Sequence, residues 1–445
     1  MTETRSRLER VAPPIGFCVA VALAVAAIAL PRILRWNVRV GDVPPLLADL
    51  YPHVGPGTLP AVLLAVLVVV FGPRLAERSS WKALLVGSFL VAVAWIVSLA
   101  MVDGLGGISR VYENPAEYLG SARAVTDVGV MLRGFIDRMP LTAADHWPVH
   151  VTGHPPGALL LFVLLVRIGL GTGLAAGLVS IGVAATAPVA VMVCLRRLGA
   201  ESSARRAAPV LAAGPAAVWI GVTADAAFGA IAAWGLCCLA VAATSRRRRS
   251  RVLIGAVAGA LLGLSVFLSY GLLLLGLLAI AILLAARSWR VLPVALLAAV
   301  LVAAGFAVAG FAWWEAYPVL VERYWAGVAT RRPGLYWIWA DLAALTISAG
   351  PVLGAGVAAA LARARAVRGR SEDRVVVLLA LAAVAIIAVA DLSMLSKSEV
   401  ERIWLPFVPW LLVATALLSP RWRRFGLAAG VLVGLAAEHL LHTAW

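Results

Sequence analysis

The sequence predicts an all-α polytopic membrane protein: about 13 transmembrane helices, one re-entrant helix, and amphipathic juxtamembrane helices in a large outer loop. Three observations carry this prediction. Of 445 residues, 62% are hydrophobic, about 276 side chains, whereas a soluble domain is typically only about half apolar. At about 20 apolar residues per crossing, that is enough for roughly thirteen or fourteen spans, with little left for a soluble domain. Charged residues are only 13%, which excludes a disordered chain, and the cations collect in short gaps between apolar runs.

The gaps hold Arg5/Arg7/Arg10, Arg74/Arg78/Lys82, Arg196/Arg197/Arg205/Arg206, Arg246 to Arg249 with Arg251, Arg287/Arg290, Arg363/Arg365/Arg368/Arg370/Arg374 and Arg421/Arg423/Arg424. That is 25 of the 38 cations; with six acids (Glu3, Glu9, Glu77, Glu201, Glu372, Asp373) the gaps carry +19 and the rest of the chain −3. The net +16 is therefore the positive-inside signature of a membrane chain, not a nucleic-acid footprint. No nucleic-acid partner is expected; the lipid bilayer of the plasma (inner) membrane is.

Apolar runs read against these gaps give spans near 11–31, 58–73, 83–102, 174–194, 208–222, 224–243, 252–268, 271–286, 291–312, 338–361, 375–394, 404–419 and 425–443. The first has no small-residue cleavage site and is read as a span, not a signal peptide. This topology makes 1–445 a single transmembrane domain with a cytoplasmic N-terminus and an extracytoplasmic C-terminus. Cys18, Cys194, Cys237 and Cys238 all lie in apolar runs, which supports neither a disulfide framework nor a zinc ribbon.

The run 158–166 (ALLLFVLLV) is held back. Nine residues reach about 14 Å into a core about 30 Å thick. Counting it as a crossing would also invert every later basic gap. The segment 156–172 is therefore expected to enter from outside and return at Gly169/Gly171/Gly173, as the wall of a site.

The outer segments are 32–57, 103–155, a corner near 223, 313–337 and 396–403. In the long loop, Leu119, Val125, Val128, Leu132, Phe135 and Ile136 fall near helical spacing, as in helices lying in the interface. Then comes HWPVHVTGHPPG, with His146, His150 and His154. Their four-residue spacing suits a metal face on one helix, but Pro148 and Pro155-Pro156 break it, so no metal ligands are assigned. Pro155-Pro156 starts the next helix, leaving His154 as either a structural turn residue or a hydrogen-bond donor to an anion at the helix N-terminus.

Asp103 closes the third span, as a stop signal or as a general base at the outer lip of the bilayer. Asp225, in the VTAD corner, is a helix N-cap or a functional ionisable group. Lys397, Glu399, Glu401 and Arg402 crowd the last outer loop, and Lys397 is one of only two lysines. Around Arg331 and Arg332, the aromatics Trp313, Trp314, Tyr317, Tyr324, Trp325, Tyr336 and Trp337 make an interface belt or a sugar-stacking surface beside a cationic phosphate clamp.

Asp103, then 112–139, then His154-Pro155-Pro156-Gly157 resembles the GT-C glycosyltransferases, polytopic enzymes that use polyprenyl-phosphate sugars, as in the protein O-mannosyltransferase, aminoarabinose transferase and arabinofuranosyltransferase groups. In them an Asp opens the first large outer loop, juxtamembrane helices follow, and a (K/H)PP(L/G) turn leads into the next helix. The chain is also similar to bacterial membrane proteins with an HxxGHPPG loop. The likeness spans most of 83–410.

The resemblance implies transfer of a sugar, with inversion, from a polyprenyl-phosphate donor to an acceptor hydroxyl outside the membrane, on a glycan, lipid or protein. It implies Asp103 as base, with His154, Arg331, Arg332, Lys397 and Arg402 on the donor phosphate. Asp225, Glu399, Glu401, His150 and Tyr336 would orient these groups or bind the acceptor. No cofactor is called for, and a divalent cation is compatible. Gly104 stands where the family often has a second acid, and two spans precede the loop's own helix, so Asp42 and Asp49 are the alternative bases. Outside this family, a transporter or flippase of a lipid-linked sugar would also need outer cationic pockets; a non-catalytic relative is the third reading.

Overall fold

The computed structural model describes residues 7–369 and 371–443; Glu3, Arg5 and Arg370 of the basic gaps lie outside the described residues. The chain is almost wholly helical. Among the described residues, seven helices are long and apolar enough to cross a membrane: Arg7–Ile33, Thr58–Arg78, Trp81–Asp103, Gly173–Arg197, Ala224–Ala243, Arg248–Leu268 and Glu372–Leu392. The number rises to nine if two bent pairs are each one span. These are Leu292–Val308 with Trp313–Ala326, bent by 74°, and Gly334–Ala349 with Val352–Ala362, bent by 107°.

Proline and glycine break two of the other apolar runs, while 271–286 forms only a short helix, Tyr270–Ala286, and 425–440 is part of the helix Pro420–Leu440. The run at 208–222 holds the end of Glu201–Ala212 and the single turn Ala217–Ile220, parted at Gly214-Pro215. The run at 404–419 is Val408–Leu412 followed by a tight turn, Val413–Leu417, with Pro406 and Pro409 at its start. A proline removes a backbone donor and clashes with the preceding turn, so such runs cannot form one straight helix. The expected 338–361 helix breaks where Gly350 adopts a φ of +89° ahead of Pro351.

Burial orders the bundle. Only 17% of the Arg7–Ile33 span is buried within the protein, against 78% of Ala224–Ala243, which makes the latter the central helix. Its sequence, ADAAFGAIAAWGLCCLAVAA, is mostly Ala and Gly, which lets neighbouring backbones approach closely. At the periphery, Gly16 and Gly354 meet face to face: a Cβ on either would fall within 2.3 Å of the other's carbonyl oxygen.

One end of the bundle gathers the irregular chain. Ala48–Leu50 pairs antiparallel with Leu441–Thr443, and the amides of Tyr51 and His53 continue the ladder to Leu440 and His439. The amide of Leu47 donates to Glu401 Oε1 at 2.9 Å, so the first loop also touches the 396–403 segment.

The 103–155 segment forms short helices, Gly106–Glu113, Tyr118–Ala124, Val128–Arg133 and Val149–Thr152. Leu119, Leu132 and Phe135 are buried, and Val125, Val128 and Ile136 half-buried. The 12-residue helix Pro156–Arg167 follows. Past its end, Gly171 accepts hydrogen bonds from Arg123 through its carbonyl, and Gly173 donates its amide to Glu113 at 2.6 Å. The chain thus returns to the same group of short helices before the next long span begins.

Candidate functional site

The Ala224–Ala243 helix begins with Asp225, and both oxygens of its carboxylate are engaged. His154 Nε2 lies 3.1 Å from Oδ1, and Arg402 Nη1 donates to Oδ2 at 2.5 Å. Arg402 Nη2 donates to Glu399 Oε2 at 3.1 Å; Arg332 Nη2 approaches Glu399 Oε1 at 3.4 Å and its Nη1 donates to the Lys397 carbonyl at 2.6 Å. Lys397 Nζ in turn donates to the carbonyls of Ala329 and Arg332 and sits 4.5 Å from the Trp325 ring centroid. Asp225, His154, Arg402, Arg332 and Lys397 are buried. The network binds four chain segments that lie far apart in sequence.

Local structure explains each position. Pro155 precedes the first turn of Pro156–Arg167, so His154 stands immediately ahead of that helix. Its Nδ1 lies 2.8 Å from the Tyr118 hydroxyl and 2.9 Å from the His150 carbonyl. Tyr118 stacks on Phe162 at 4.9 Å, which fixes the ring that backs His154. His150 contacts Glu117 through Nδ1. In the 396–403 segment, Ser398 and Glu399 have φ of +71° and +64°, a left-handed turn that sets the Glu399 carboxylate between two guanidinium groups. The Ser398 amide donates to Asp341 at 3.0 Å and anchors that turn.

Burial alone would push the Glu399 carboxyl up, but Arg402 and Arg332 outweigh it and hold it below the usual range. Burial likewise opposes the charge on Arg402, and Asp225 and Glu399 more than offset this, raising it above an ordinary arginine. Burial lowers Lys397, with Arg332 adding to the effect. Glu401 is different: fully buried and with Oε2 lacking a hydrogen bond, it is pushed up to about 7.

A second polar cluster forms around Asp103. His53 Nε2 lies 2.9 Å from its Oδ1, Arg110 pairs with its Oδ2, and Glu438 completes the group. Only five residues of the first loop lie between Leu47, bound to Glu401, and His53, so at most about 22 Å of chain links the two clusters.

The structure therefore brings together His154, Asp225, Arg332, Lys397, Glu399, Glu401 and Arg402, with His150 alongside. It keeps Asp103 in the separate group. Arg331 is exposed, and Tyr336 is buried on the first helix, its hydroxyl donating to the Ala27 carbonyl at 2.9 Å. Asp42 and Asp49 are exposed, and Asp49 caps the Asp42 amide at 3.1 Å. The three histidines of the HWPVHVTGH stretch have separate partners, His146 reaching only the Trp147 carbonyl.

Sequence reasoning missed Glu117, Tyr118, His53, Arg110 and Glu438. Glu438 carried a signal, as the only acid in the expected last span. No protein-family model, curated protein or solved structure matches the chain.

Asp225→Ala removes the carboxylate shared by His154 and Arg402 in a buried site, and the expected loss is about 3–5 kcal/mol in detergent unfolding; an unfolding midpoint equal to wild type refutes the central role of Asp225. For Glu401 the sign follows from its raised value. Between about 4.5 and about 7 the folded state holds a proton that the unfolded chain has lost. Stability should therefore decline as pH rises through that window, and Glu401→Gln should flatten the slope; an unchanged slope in the variant contradicts the assignment.

Proposed function

We propose that the protein is a membrane glycosyltransferase that moves a sugar from a polyprenyl-phosphate donor to an acceptor hydroxyl on the extracytoplasmic side, in cell-envelope glycan or glycolipid assembly. One observation carries this reading. Four of the five side chains expected to hold a donor phosphate, His154, Arg332, Lys397 and Arg402, converge on one polar network at the end of the bundle where the 103–155 helices gather.

In this reading a phosphate arriving at Arg332 and Arg402 takes the place of Glu399, the most exposed side chain of the network at 22%. The two guanidinium groups then stabilise the charge that develops on the leaving lipid phosphate. An apolar cavity of about 50 Å³, lined by Leu405, Val408, Leu412 and Ile220 among others, adjoins the segment after Arg402 and is where the lipid tail would enter. Asp103 takes the acceptor proton. Asp225 and Glu401 are buried, whereas Asp103, although paired with His53 and Arg110, keeps 15% of its side chain exposed. Asp103→Asn should lower transfer from labelled polyprenyl-phosphate sugar about 10²- to 10⁴-fold in membranes; undiminished transfer removes Asp103 as the base.

The matching topology has thirteen crossings, a cytoplasmic N-terminus, an extracytoplasmic C-terminus and a re-entrant 156–172. The contacts of Gly171 and Gly173 with Arg123 and Glu113 support the return of that segment to its starting side, and the pairing of 441–443 with 48–50 supports the position of the C-terminus. A cysteine at Thr172 should react with an impermeant reagent from outside; labelling only from the cytoplasm overturns the re-entrant helix. The two consecutive bent helix pairs favour a second reading, a flippase of the same lipid-linked sugar, because transporters build binding sites from broken helices. Movement of labelled donor across vesicles without transfer would select it.

A further inference from the structure

We propose that His53, Asp103 and Glu438 form a divalent-metal site at the rim of the bundle, joining the first loop, the end of the third long helix and the end of the last. This goes beyond the transfer reaction; it shares Asp103, the base of that reading, as one ligand, and metal content tests it separately. The three side chains each offer one ligand atom, and these atoms all lie within 4.8 Å of one another. His53 Nε2 and Asp103 Oδ1 are 2.9 Å apart, about the spacing of adjacent ligands around an ion held at roughly 2.0–2.2 Å.

The independent observation is the orientation of the His53 ring. Its Nδ1 is 2.8 Å from the Tyr51 carbonyl, which can only accept, so Nδ1 carries a proton. In the neutral ring the lone pair is then on Nε2. That atom is buried, makes no hydrogen bond, and points at a carboxylate oxygen. In that tautomer two acceptors face each other, and the contact is resolved by a cation between them, a proton or a metal ion. A metal-bound histidine commonly donates its other N–H to a backbone carbonyl, which fixes tautomer and ring plane together.

The second shell is also built. Arg110 pairs with Asp103 Oδ2 and leaves Oδ1 to face the site. The ladder from Tyr51 to Leu440 and from His53 to His439 holds the first loop against the end of the last helix, where Glu438 stands. Beside Glu438, His439 Nε2 lies 3.0 Å from Thr58 Oγ1, so the neighbouring histidine is already engaged.

One imidazole and two carboxylates suit a borderline cation such as Zn²⁺ or Mn²⁺, and three protein ligands leave a coordination position open. Full-length protein purified in detergent, stripped with chelator and titrated with Zn²⁺ or Mn²⁺ alone should retain about one equivalent by elemental analysis. Glu438→Gln and His53→Ala should each weaken that binding at least 10-fold. Wild-type protein retaining no metal, or a folded Glu438→Gln protein binding as tightly as wild type, overturns the site. The Mn²⁺-loaded wild type adds a readout that needs no variant: electron paramagnetic resonance should show nitrogen coupling from one imidazole, and an all-oxygen shell overturns the assignment. Metal content reads the site directly, so loss of sugar transfer with metal retained would strike only the proposed reaction.

Discussion

The double engagement of Asp225 is the constraint on which this end of the bundle depends. Its carboxylate begins the most buried long helix and is held by His154 on one oxygen and Arg402 on the other. Removing such ions from water costs several kcal/mol each, and only close geometry with further hydrogen bonds offsets it. The partners must therefore be delivered accurately, and the loops that deliver them have little freedom.

That requirement accounts for features that otherwise look unrelated. The two prolines after His154 fix where the next helix starts, and Tyr118, held by Phe162, backs the imidazole. The left-handed residues Ser398 and Glu399 turn the last loop so that Glu399 reaches Arg402 and Arg332 together. Arg332 returns to the same loop through the Lys397 carbonyl, and Lys397 caps carbonyls of the 329–332 turn. Each element satisfies a buried polar group on another, so the network rigidifies as a unit.

Much of this was legible in the sequence, and what was hidden has physical causes. Long uninterrupted apolar runs showed themselves, because a run such as 375–394 has one geometry open to it in lipid. Runs punctuated by Gly350-Pro351 or Gly214-Pro215 concealed their bends, since composition counts apolar side chains and is blind to backbone direction. The residues of the polar network could be named because charge is rare beside long apolar runs outside the basic gaps. Their pairing could not be: spacing gives no sign that Asp103 belongs with His53 and Glu438, which lie 50 residues before and 335 after it. The strand pairing of 48–50 with 441–443 sets the first loop beside the end of the last helix, and the Gly57 amide, donating to the Met101 carbonyl at 2.9 Å, brings the end of the third helix to both.

The charge asymmetry acquires a structural meaning from this contrast. Arg363 is buried against Glu9, whereas several ion pairs in the basic gaps, such as Arg196 with Glu201 and Arg423 with Glu77, join side chains of which at least one is well exposed. Pairs of that kind contribute about 0–1 kcal/mol and tolerate exchange, so these arginines can serve topology without fixing the fold. At the other end fewer charges are used, and most are buried and shared between segments. There the loss of one partner leaves an uncompensated ion in a site closed to water, so geometry and charge number must agree. The arginines of the gaps sit mostly in exposed pairs, whereas the few acids around Asp225 and Asp103 tie distant segments of the chain together.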